Sequence, residues 1–109
     1  MNFNTPKNKL LHALIEVSKV VPTRTTLPIL SCALFEAKNN KLKIKATDLE
    51  QTIIVNVEAK VVESGKAAIP INKIIEIVSA LKETTVDFKS NETQIEINNL
   101  IQQIFFSLN

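Results

Sequence analysis

The 109-residue sequence is poor in the residues from which compact functional motifs are built. It has no tryptophan and no tyrosine, and one each of glycine, cysteine, histidine and arginine. With Gly65 as the sole glycine, neither a phosphate-cradling loop nor a dinucleotide fingerprint can be assembled. A lone Cys32 excludes an internal disulfide and a multi-cysteine metal site. His12 on its own supplies neither a metal cluster nor a histidine-based triad. The five phenylalanines mostly fall at inward strand positions, so the usual stacking platform for single-stranded nucleic acid is missing. No apolar run approaches the ~20 residues that span a bilayer, and the opening MNFNTPKNK is too polar for a signal peptide. A reducing, cytoplasmic setting is the expectation.

What is present describes one folded, soluble domain, with 45% apolar and 22% charged residues. The formal charge of +2 conceals a polarity. Residues 1–45 carry eight basic side chains against Glu16 and Glu36, whereas residues 46–109 carry five against nine acidic ones. Such a chain can turn one face to a polyanion, or the charges can simply decorate solvated strands.

Along the chain, Asn2 to Thr5 reads as a short strand, and Pro6 suits the first turn of a helix. Leu10, Leu14, Val17 and Val21 recur at helical spacing, with Leu11 and Ile15 widening the stripe, until Pro22 stops it. The other side carries Asn8, Lys9, His12, Glu16 and Lys19. Strands follow at Ser31 to Ala37, apolar on both faces, at Lys41 to Lys45 and at Thr52 to Ala59, with an Asn39-Asn40 turn between the first two. The pattern then restarts. Lys66 to Ile69 is a strand, and Pro70 leads a second helix burying Ile71, Ile74, Ile75, Val78 and Leu81, with Asn72, Lys73, Glu76 and Ser79 outside. Thr85 to Lys89, Thr93 to Asn98 and Ile101 to Leu108 are three more alternating segments. Strand, helix and three strands thus occur twice, and two helices on antiparallel strands make an α+β layered domain. A final strand that runs to the last residue is expected of a truncated chain, although a terminal strand also ends intact sheets.

Catalytic candidates are few. Cys32 reads as a core residue rather than a nucleophile, and His12 as a surface histidine. Asp48 and Glu50 in ATDLEQ are a carboxylate pair that could hold a divalent ion, or Asp48 could bond backbone amides at a bend. Neither outer helix face is rich in the Arg, Asn or Gln that read bases, which leaves lysines and Arg24 for sequence-independent contact with phosphates. Arg24 lies in VVPTRTTLPILS, on a stiff segment between Pro22 and Pro28 whose threonine hydroxyls could also meet phosphate.

The run VSKVVPTRTTLPILS, then KLKIKATDLEQTI, then GKAAIPINKIIEIVSAL and the closing FFSLN stand in an order and spacing that resemble the N-terminal domain of the bacterial DNA polymerase III beta subunits, the sliding clamps. The resemblance covers essentially the whole chain, residues 1–109, as a single clamp domain, the first of three in the family, with its C-terminal edge truncated. It implies the DNA-clamp fold, in which two crescents of three domains close into a ring with helices lining the hole. It also implies a non-catalytic role without cofactors. The ring encircles duplex DNA, is put there by an ATP-driven clamp loader, and tethers the polymerase. Arg24 matches a DNA-contacting arginine of the family. Asn72 stands where the family has a basic contact, and Lys73 matches its next lysine. The basic residues that help close the ring are replaced by LIQQI at Leu100 to Ile104, a more apolar edge. The chain alone is then expected neither to encircle DNA nor to recruit polymerase. An alternative reading is a protein-interaction module that pairs a partner strand with its sheet edge.

Overall fold

The computed structural model describes residues 1–22, 24–25, 27–82 and 85–108. In order they form β1 (Asn2–Pro6), α1 (Lys7–Ser18), a 3₁₀ turn (Pro28–Ser31), β2 (Cys32–Lys38), β3 (Lys41–Thr47), β4 (Thr52–Glu58), β5 (Lys60–Glu63), β6 (Gly65–Pro70), α2 (Ile71–Ala80), β7 (Thr85–Ser90), β8 (Gln94–Asn98) and β9 (Gln103–Ser107). The α+β expectation, with two helices against antiparallel sheets, is met.

The same residue converts strand to helix in both halves. Pro6 and Pro70 each end a strand, with ψ of 137° and 119°, and each immediately precedes a helix. Proline's fixed φ suits this entry, and its missing N–H costs the helix nothing there. Pro6 therefore stands just before the first turn, one step earlier than expected. Helix α1 buries Leu10, Ala13, Leu14 and Val17, and α2 buries Ile71, Ile74 and Val78. Ile15, expected to widen the α1 stripe, is instead 46% exposed. The isoleucine-rich α2 is a helix despite its β-branched residues, because packing of its apolar face outweighs a modest propensity loss.

The nine strands among the described residues form two antiparallel sheets, with orders β5-β1-β7-β8-β9 and β4-β3-β2-β6. Each half thus lends its first strand to the other half's sheet. β1 pairs with β7, and β6 pairs with β2. Strand β5 departs from the expected pattern, which ran one strand to Ala59 and then a turn. Here the chain breaks at Ala59, and Lys60–Glu63 crosses to pair with β1. Phe88 joins the layers. Its ring lies 4.8 Å from that of Phe3, its neighbour in the five-stranded sheet, and 5.7 Å from that of Phe35 in the other. All three rings are fully buried.

Strand β2 does not have both faces covered. Ala33, Phe35 and Ala37 are buried, but Cys32, Leu34 and Glu36 are only half-buried on the outer side.

Candidate nucleic-acid interface

The two helices pack on each other, and a lysine joins the start of α1 to the end of α2. Lys7, the first residue of α1, donates from Nζ to the carbonyl of Leu81 and, at 3.4 Å, to that of Ser79. Its ammonium satisfies carbonyls left open at the end of α2, where the helix dipole is negative. Lys7 is therefore engaged structurally. The start of α2 adjoins the start of β2, because Pro70 pairs with Cys32, and the Arg24 segment leads into that strand.

All three expected contact residues lie on the surface. Asn72 and Lys73 are exposed on the first turn of α2. Arg24 is exposed on a bend, and among the described residues it has no acidic partner. The first turn of α2 contains no acidic residue and no side-chain cap, so its amides and Lys73 contribute positive character together. At the end of α1, by contrast, Lys19 is neutralised by Glu16 at 3.0 Å. The helix faces are sparsely charged, with His12 exposed beside Asn8 and Lys9.

Of the threonines around Arg24, Thr23 and Thr26 lie outside the described residues. The Thr25 hydroxyl is turned to its own backbone: it accepts from the Leu27 amide at 3.0 Å and faces the Leu27 carbonyl at 3.3 Å. Pro28 starts the 3₁₀ turn, which leaves Leu27 and Ile29 48% and 63% exposed. Sequence reasoning missed these apolar residues beside the arginine. The signal was the run LPIL, which reads equally well as buried strand.

The remaining chemical candidates resolve into structure. Asp48 Oδ1 accepts from the amides of Glu50 at 2.9 Å and Gln51 at 2.6 Å, and those bonds hold its carboxyl below the usual range. The carboxylate builds the β3–β4 turn, as the second of its two readings had it. No group of three or more metal-ligating side chains exists among the described residues. Burial raises the Cys32 thiol above its ordinary value, with a bond from Ser31 opposing it, so the group is a poor nucleophile. No helix among the described residues is long and apolar enough to cross a membrane.

Comparison with known proteins agrees with this geometry. The family model of the DNA polymerase III beta subunit, N-terminal domain, matches residues 1–108. A beta sliding clamp of Caulobacter vibrioides is 32% identical over 100 residues, which are 89% of this chain and 27% of that protein. One of Pseudomonas putida is 31% identical over 97 residues, 87% of this chain and 26% of its own length. The crystal structure of a putative DNA polymerase III beta subunit from Eubacterium rectale superposes with a TM-score of 0.93 at 30% identity, covering 98% of this chain and 30% of that one. The chain thus spans between a quarter and a third of these relatives. A match of this extent, on a fold whose helix pair and exchanged strands superpose on solved clamps, leaves one conclusion: the chain belongs to the DNA polymerase III beta subunit family, as its N-terminal domain.

Proposed function

We propose that the chain is a ring segment of a replication processivity factor, a cytoplasmic, non-catalytic protein that holds a polymerase on duplex DNA. The observation that carries this reading is that Arg24, Lys73 and Asn72 are all exposed, on a helix pair that is otherwise sparsely charged. Arg24 contacts a phosphate through two N–H groups, Lys73 adds a point charge, and Asn72 donates a neutral hydrogen bond. A tether must hold without gripping, and few cations on the helices give weak, sequence-independent, salt-sensitive attraction. Family membership supports a second clamp protomer, the clamp loader and the polymerase as further partners. Ring closure then engages the β9 edge, where Leu100, Ile101 and Phe105 are 92%, 67% and 53% exposed.

The test is retention of the 109-residue chain on immobilised duplex DNA across a salt series. Weak retention that falls with salt and ignores sequence is expected, and Arg24→Ala lowers it and reduces the log–log salt slope by about 1. Unchanged retention and slope in that variant would remove Arg24 from the interface. A chain with no salt-dependent retention at all would favour the sheet-edge interaction module, for which the unguarded β9 edge is the specific observation.

A further inference from the structure

The outer face of the β4-β3-β2-β6 sheet points away from the helices, and apart from the 3₁₀ turn at one corner no described element packs on it. Its centre is a ladder of Lys41, Lys43 and Lys45 on β3, all exposed, with Leu42, Ile44 and Ala46 alternating inward. The register sets different neighbours beside each lysine. Lys41 lies opposite Lys38 and Glu58, and Lys43 opposite Glu36 and Asn56. Lys45 lies between two apolar residues, Leu34 and Ile54, the latter 51% exposed. Glu36 is shared by Lys43 at 4.0 Å and Lys66 at 3.4 Å, whereas Lys38, Lys41 and Lys45 have no acidic partner among the described residues. Beside Lys45 an open depression of about 210 Å³ is lined by Ile29, Leu34 and Ala68, among others.

One end of this face is therefore apolar and the other basic, with Lys45 at the boundary. We propose that it docks an extended segment of a partner protein carrying an apolar side chain followed by acidic residues at alternate positions. The spacing follows from the ladder. Side chains on one face of an extended segment recur every second residue, about 6.8 Å apart. A segment lying along β3 with its apolar residue over Leu34 and Ile54 sets its next two same-side residues over Lys43 and Lys41. Acidic groups there complement the surplus of lysines. Duplex DNA fits less well, because half of the face is apolar and the whole of it lacks arginine. The face borders the Arg24 segment at Ile29, but the inference does not rest on the assignment of that segment to DNA.

The experiment titrates the ¹⁵N-labelled 109-residue chain at low salt with the synthetic peptide acetyl-Gly-Leu-Ser-Glu-Ser-Glu-Gly-amide. Amide shifts confined to residues around Leu34, Lys43, Lys45 and Ile54 are expected. Binding should weaken roughly fivefold in Lys45→Glu, which breaks no ion pair among the described residues, and comparably with a peptide whose leucine is serine. Ile54→Ser should weaken the leucine peptide alone. An unshifted spectrum at millimolar peptide, or shifts elsewhere on the surface, overturns the proposal. So does tighter binding of a duplex oligonucleotide to these same residues, or protection of the face by self-association of the chain.

Discussion

Asp48 and Leu49 show how one turn can hold both a stabilising bond and a strained residue. The Asp48 carboxylate accepts two amides, which lowers its pKa in the folded state. A depressed carboxyl contributes stability that is fully present above its unfolded value of about 3.9 and is lost as pH falls through the lower folded value. Asp48→Asn keeps an acceptor oxygen but cannot titrate. Urea midpoints at pH 7 and pH 3 should therefore lie closer together in Asp48→Asn than in the parent, and an equal or wider gap would contradict the assignment. Next to it, Leu49 has φ of 79° while 73% exposed, so a bulky residue sits in left-handed backbone without packing in return. That conformation costs an L-residue roughly 1–2 kcal/mol, and glycine's extra chain entropy offsets part of the relief. Leu49→Gly should raise stability by about 0.5–1 kcal/mol, seen as a higher thermal midpoint, and a lower one would mean Leu49 has a contact worth more than its strain. Neither effect was legible in the letters ATDLEQ beyond the backbone-binding aspartate, because a positive φ at leucine follows from the turn's geometry.

At the scale of elements, the β2–β3 hairpin turns through Asn39 and Asn40, with φ of 52° and 56°. Both asparagines tolerate that region, but only Asn40 also reaches another strand, its Oδ1 accepting the Val61 amide at 3.2 Å. Asn40→Ala should therefore cost about 1 kcal/mol more than Asn39→Ala in chemical denaturation, the worth of one hydrogen bond. Equal losses would show the Val61 bond to be idle. This hairpin was readable beforehand, since KLKIKA alternates strictly and asparagine pairs mark turns. Strand β5 was not. Its four residues follow β4 with one residue between, and only pairing with β1 across the molecule separates them. Ile15 misled for a related reason: periodicity marks an apolar stripe but not how wide a neighbour covers it. The site divides the same way. Arg24 stood out by composition, whereas the pairing of Pro70 with Cys32, which sets the start of α2 beside the strand that follows the Arg24 segment, exists only in three dimensions. The apolar, uncharged β9 edge was also visible in LIQQIFFS. An unguarded edge pairs with other strands, so Phe105→Lys should reduce concentration-dependent association in sedimentation, while Phe106→Lys, on the half-buried side, should unfold the edge instead.

The whole molecule is organised by an exchange. β1 and α1 begin the first half, yet β1 sits among β7, β8 and β9; β6 and α2 begin the second, yet β6 sits beside β2, β3 and β4. Phe88 locks this arrangement by stacking on Phe3 from the first half's lent strand and on Phe35 from the other sheet. Alone, the first half lacks β6 from its sheet, the second lacks β1 and β5, and each helix leaves one flank of its apolar face uncovered. Domains of some 60 residues are already marginal when complete. Cutting the chain between Ser64 and Gly65 should thus give two pieces with collapsed amide dispersion and no cooperative unfolding. On mixing, dispersion should return, because the missing strands of each sheet are supplied by the other piece. The intact chain should unfold in a single transition, with circular dichroism and amide-exchange probes from both sheets coinciding. A piece that folds alone, or two sheets that melt separately, would mean that the pairing of β1 with β7 and of β6 with β2 is an accessory to two independent cores. The stacking of Phe88 across the sheets argues against that, and Phe88→Ala should lower both probes together by about 3–5 kcal/mol.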